Sequence, residues 1–128
     1  MDTITLDSFF ESVDIETDYL KNLLEKVLAI INRPDLCFGK IYEGRIFGSE
    51  GAVTWDGKIY LDSKRLQKYE DEIAMAIIAH ELAHYQKGHY KDRKGSREKE
   101  IEADELVKSW GFDVESFRKA IPINGKET

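Results

Sequence analysis

The chain is 128 residues long, 41% hydrophobic and 34% charged, with a formal charge of -6. That is enough apolar content for a core without disulfide support and too much for disorder, so residues 1–128 read as one domain. The acidic balance, with a pI near 5.1, counts against nucleic acid as the main partner, because binding a phosphate backbone draws on clustered Lys and Arg.

The start, MDTITLDSFFESVD, lacks the basic residues and apolar run of a secretory signal, and the single cysteine, Cys37, rules out an intrachain disulfide. A cytoplasmic protein is expected. The apolar runs VLAII and IAMAIIA fall far short of the roughly 20 residues that cross a bilayer, so no membrane partner is expected either. Oligomeric state is left open by the composition.

Residues 16–31, ETDYLKNLLEKVLAII, place Tyr19, Leu20, Leu23, Leu24, Val27, Leu28 and Ile31 at helical spacing, and Pro34 follows as a stop. Residues 36–62 change character: LCFGKIY, RIFGS and AVTWDGKIYLD are short β-prone runs separated by glycines. Asp56-Gly57 predicts a hairpin with a type I′ turn, which needs two positive φ angles. A small, mostly antiparallel sheet is therefore expected, with Trp55 and Tyr60 in the core or on a sheet face.

From Asp71 the pattern returns to helix, with acidic residues 70–72 near its N-terminus, where the helix dipole favours them, and Gly88 as its end. Ile73, Ala74, Ala76, Ile77, Ile78, Ala79, Leu82 and Ala83 fall on every side, which predicts a helix enclosed by the rest of the molecule. The polar turn HYKDRKG leads to a third helix over 96–110, ended by Gly111, and DVESFRKAI predicts a short last helix before a polar tail. The class is α+β: a small sheet packed on a central helix, with a second helix beside it.

Within the central helix, residues 80–84 read H-E-L-A-H. Histidines at i and i+4 lie on one face about one turn apart and can grip one ion. Zinc suits two imidazoles and an oxygen ligand, and a catalytic site keeps its fourth position for water. Glu81, roughly 60 to 100° around the helix from His80 and His84, is placed to act on that water as a general base. A shuffled chain with three histidines would contain this pattern about once in 100. The alternative, core histidines satisfied by backbone carbonyls, would bury ionisable groups at a few kcal/mol each.

The third ligand has to come from the acids at 98–105. With Glu100 at 0°, Asp104 lies at about 40° and Ala103, Val107 and Trp110 at about 280 to 340°, whereas Glu98, Glu102 and Glu105 fall on the opposite, wet side. Glu100 is thus the candidate ligand. Asp104, one turn on, can hydrogen-bond the second nitrogen of a ligand histidine. His89 is a rival, but it comes five residues after His84 where the metzincin pattern needs six, and no methionine follows the motif. Tyr85, His89 and Tyr90 are candidates for the rim or for stabilising an oxyanion, and spacing does not choose among them.

The residues HELAH (80–84) and EIEAD (100–104) make the sequence resemble the gluzincins, zinc metallopeptidases whose HExxH helix is completed by a glutamate on a second helix. The E-x-x-A-D form is similar to that of prenyl-peptidase-like and minimal gluzincins. The size, and GKIYLD ahead of the active helix, also resemble ImmA/IrrE-type peptidases that act on regulators. The resemblance covers residues 51–111 and implies a zincin-like fold. It also implies a Zn2+-dependent endopeptidase acting on a peptide or protein substrate, with His80, His84 and Glu100 as ligands and Glu81 as base. Two other readings stand beside it. One is a catalytically silent or latent zinc-binding interaction module, its water site blocked by the tail IPINGKET. The other is nucleic-acid binding through Lys87, Lys91, Arg93, Lys94, Arg97 and Lys99.

Overall fold

The computed structural model of the chain describes residues 5–46, 48–91 and 96–122. After a 3-10 turn at Leu6–Ser8 come strand β1 (Phe10–Asp14), helix α1 (Asp18–Ile31), strands β2 (Phe38–Glu43), β3 (Gly51–Val53) and β4 (Lys58–Leu61), and the short helix α2 (Ser63–Leu66). Helix α3 (Asp71–Gln86), a 3-10 turn (His89–Lys91), helix α4 (Ser96–Ser109) and helix α5 (Val114–Ala120) complete the order. The class is α+β, as the sequence implies.

The sheet is mixed and mostly parallel, which corrects the antiparallel expectation. Its order is β1-β2-β4-β3, with β1 parallel to β2, β2 parallel to β4, and antiparallel pairing confined to β3 and β4. The cause is β1, a strand the sequence does not announce: FESVD shows no apolar alternation, and its burial is correspondingly irregular. Once β1 lies beside β2, the intervening α1 must act as a crossover, and a helical crossover joins parallel strands. The described residues of RIFGS, read as a strand run, contribute no strand.

The hairpin lies where expected, but its turn is different. Gly57 has φ +83° while Asp56 has no positive φ. The Gly57 N–H donates to the Thr54 carbonyl at 2.9 Å and the Thr54 N–H to the Lys58 carbonyl at 2.8 Å. One left-handed glycine closing a three-residue connection replaces the two-residue type I′ loop. Trp55 sits in this turn and is 84% exposed, not in the core or on a sheet face. Tyr60 does lie on a sheet face, stacked on Tyr42 at 5.0 Å.

Helix α1 begins at Thr17, whose hydroxyl accepts the Leu20 N–H, and Glu43 at the end of β2 accepts the N–H groups of Glu16 and Thr17. A carboxylate there satisfies orphan donors and complements the helix dipole. The centre of the fold is α3, buried continuously from Ala74 to Ala83. It packs against β2, β3 and β4 on one side and against α1, α4 and α5 around the rest. That enclosure is why its apolar residues point in every direction, and why polar groups on it need partners.

Candidate active site

His80, Glu81 and His84 project from the enclosed helix α3, and Glu100 reaches them from α4. Their metal-competent atoms form a small triangle: His80 Nε2 to His84 Nε2 is 2.9 Å, His84 Nε2 to Glu100 Oε2 is 2.6 Å, and His80 Nε2 to Glu100 Oε2 is 3.3 Å. Among the described residues this is a set of three side chains able to hold one metal ion. A tetrahedral zinc with bonds of about 2.0 to 2.1 Å keeps its ligand atoms about 3.3 Å apart, so small outward shifts accommodate it. Two imidazoles and a carboxylate also match the donor preference of zinc.

Charge bears out the need for a cation. Burial works against a charged His80, yet the carboxylates of Asp104 and Glu100 outweigh it and push the imidazole up to about 9. Burial alone would raise Glu100, but His80 and His84 hold it well below the usual carboxylate range. In either case the site favours positive charge at the triangle.

Glu81 lines a cleft of about 230 Å³ together with Val53, His84, His89, Tyr90 and Glu100. Burial pushes the Glu81 carboxyl up, an effect His80 and His84 oppose. Strand β3 makes room for it. A Cβ on Gly51 would stand 2.8 Å from Glu81 Cγ and 3.2 Å from Leu61 Cδ2, so only glycine lets the strand pass so close to the base.

Asp104 faces the other nitrogen of His80 at 3.4 Å, an ion-pair contact. It is itself gripped by Arg118 of α5, whose Nε and Nη2 donate to its two oxygens at 2.7 and 2.9 Å. Arg118 Nη2 also lies 3.3 Å from Glu100 Oε1, leaving Oε2 to the histidines. Phe117 packs its ring 5.2 Å from that of His80. The sequence reading missed Arg118, although two acids on the buried face of α4 require a cation among the neighbours.

The remaining candidates separate. Tyr90 and His89 line the cleft. Tyr85 instead stacks on Tyr90 at 5.3 Å and turns towards the strands, near Gly39 and Gly57. His89 is 7% exposed, with Nδ1 2.9 Å from His84 Nδ1 and Nε2 2.7 Å from Glu102 Oε1. It is not one of the three clustered ligands. Glu102, assigned to the wet side of α4, is indeed exposed, but its side chain is long enough to reach His89. Arg93, Lys94 and tail residues 123–128 lie outside the described residues.

A family model described as peptidase family M48 matches residues 16–95. That match contains β2 to β4 and the HELAH helix and stops before Glu100, Asp104 and Arg118. No curated protein and no solved structure gives a match.

Proposed function

The chain belongs to peptidase family M48 and is a zinc metallopeptidase of gluzincin type; from that premise we propose that it is an endopeptidase for extended polypeptide, with His80, His84 and Glu100 holding the zinc and Glu81 serving as general base. The observation that carries this reading is the convergence of two imidazoles and one carboxylate beside a buried glutamate that opens onto a cleft.

Zinc, when bound, supplies a water of lowered pKa and polarises the scissile carbonyl. The chain does the rest. Glu81, its affinity for a proton raised by burial, takes the proton of the attacking water and later delivers it to the leaving nitrogen, so no covalent intermediate forms. Asp104 faces His80 Nδ1 at 3.4 Å and would orient its ring once zinc is bound, and Arg118 holds both Asp104 and one oxygen of Glu100. Tyr90, which lines the cleft beside Glu81, is the proposed donor to the oxyanion.

Strand β3 is an edge of the sheet, paired with β4 on one side, and its Val53 lines the cleft. An extended peptide adding to that edge would gain main-chain hydrogen bonds with little sequence preference. Strand β4 is interior and offers no such edge. Among the described residues no helix is long and apolar enough to cross a membrane.

The test is Glu81→Gln. It is expected to retain one zinc per chain by mass spectrometry and to lose cleavage of a fluorescently labelled unfolded protein by at least about 100-fold, the range for a general base. Equal cleavage by both proteins would refute the assignment of the base. Absence of cleavage by the zinc-loaded parent would favour a silent zinc-binding module.

A further inference from the structure

The two histidines of the HELAH segment are supported differently. His80 faces Asp104, whereas His84 has a second histidine at its back, and that histidine has an acid behind it. The chain of contacts runs from His84 Nδ1 to His89 Nδ1 at 2.9 Å and from His89 Nε2 to Glu102 Oε1 at 2.7 Å. The rings of His84 and His89 are 5.1 Å apart and inclined at 64°, and His89 is buried while Glu102 stands largely in solvent.

Hydrogen accounting gives this chain a direction. A carboxylate only accepts, so the ring of His89 must donate its Nε2–H to Glu102. A neutral His89 then presents a bare Nδ1, which accepts. The hydrogen between the two rings must therefore sit on His84 Nδ1, and His84 Nε2 is left bare. That nitrogen is the one aimed at His80 Nε2 and at Glu100 Oε2, 2.6 Å away, where a bound cation takes the place of the hydrogen that the Glu100 carboxylate otherwise calls for. An acid on the exposed side of α4 thus sets, through two imidazoles, the tautomer that a metal ligand needs.

We propose that His89 and Glu102 are positioning residues that hold His84 in the Nδ1–H tautomer and orient its Nε2 towards the zinc site. The inference rests on the assignment of His84 as a zinc ligand. The 3-10 turn after Gly88, whose φ is +71°, brings His89 back over the helix end. Its side chain therefore stands where a helical continuation would not place it. The same contacts explain why a histidine in the cleft is neither a ligand nor a donor to substrate: both its nitrogens are occupied.

The experiment measures zinc affinity by competition with a chromophoric chelator for the full chain and for His84→Ala, His89→Leu, His89→Gln and Glu102→Ala. It also records the nitrogen shifts of His84 by 15N NMR in the zinc-loaded proteins. We expect one zinc in the parent and loss of tight binding in His84→Ala. His89→Leu is expected to bind about 10- to 100-fold more weakly, as for other partners of metal-bound histidines, and Glu102→Ala more weakly than the parent by a smaller factor. His89→Gln, whose amide oxygen can accept from His84 Nδ1, is expected to recover affinity and the His84 Nδ1–H signature, which a merely structural role would not restore. Glu102 is exposed, so its variant keeps the test valid if His89→Leu fails to fold. A His84→Ala variant that keeps its zinc would overturn the ligand assignment and this inference with it. Loss of zinc in His84→Ala, with parental affinity in both His89→Leu and Glu102→Ala, would overturn the inference alone.

Discussion

Zinc has to displace a proton from His80, and this makes affinity depend on pH in a range where an ordinary imidazole would be silent. The imidazole is raised to about 9 because Asp104 and Glu100 flank it, despite the burial that opposes its charge. A ligand nitrogen must be bare to bind, so each pH unit below that value costs about tenfold in apparent affinity. Lowering the pH from 9 to 7 therefore weakens zinc binding about 100-fold, or about 3 kcal/mol. With an ordinary histidine near 6.5 the loss over that interval would be small. The assay is chelator competition from pH 6.5 to 9.5, with calorimetry in buffers of different ionisation enthalpy to count protons. We expect about one proton released per zinc at pH 7.5. Flat affinity between pH 7 and 9 with no proton release would refute the reasoning. The metal-free fold carries the opposite signature. Its raised His80 contributes stability that is complete below about pH 6.5 and lost as the pH rises through 9, on the order of 3 kcal/mol in total.

Three further outcomes follow from the packing. Gly51→Ala places a methyl group 2.8 Å from Glu81 Cγ, so it is expected to cost about 1 to 3 kcal/mol in denaturant unfolding and to lower kcat with zinc content unchanged; parental kcat and stability would contradict the tight passage of β3. Arg118→Ala breaks the two bonds to Asp104 and the contact with Glu100; a loss of about 3 kcal/mol together with weaker zinc binding is expected, and unchanged affinity would separate α5 from the site. Trp55→Ala removes an 84% exposed ring and is expected to leave stability within about 0.5 kcal/mol, whereas a clear drop in Tm would return Trp55 to the core.

Legibility in the sequence followed the range of the interaction. The enclosure of α3 could be read because apolar residues occupy every direction of one helix, and the Glu100–Asp104 face because helical periodicity is local. The parallel sheet could not, since pairing of β1 with β2 is long-range and FESVD carries no period-two signal. His89 lies beyond a left-handed glycine, so a helical wheel misplaces it. Glu102 was correctly put on the exposed face of α4, but a flexible side chain reaches farther than its wheel angle suggests. Arg118 was within reach of charge accounting: two acids on a buried face, Glu100 and Asp104, call for a cation among the neighbouring elements, and Arg118 of α5 supplies one.

Anomalous diffraction at the zinc absorption edge, from crystals of the zinc-loaded protein, examines the central assignment most directly. One peak within about 2.0 to 2.2 Å of His80 Nε2, His84 Nε2 and a Glu100 oxygen, with Glu81 facing it but not bonded, is the result expected. A peak bound elsewhere, or one from which Glu100 is turned away, would contradict it.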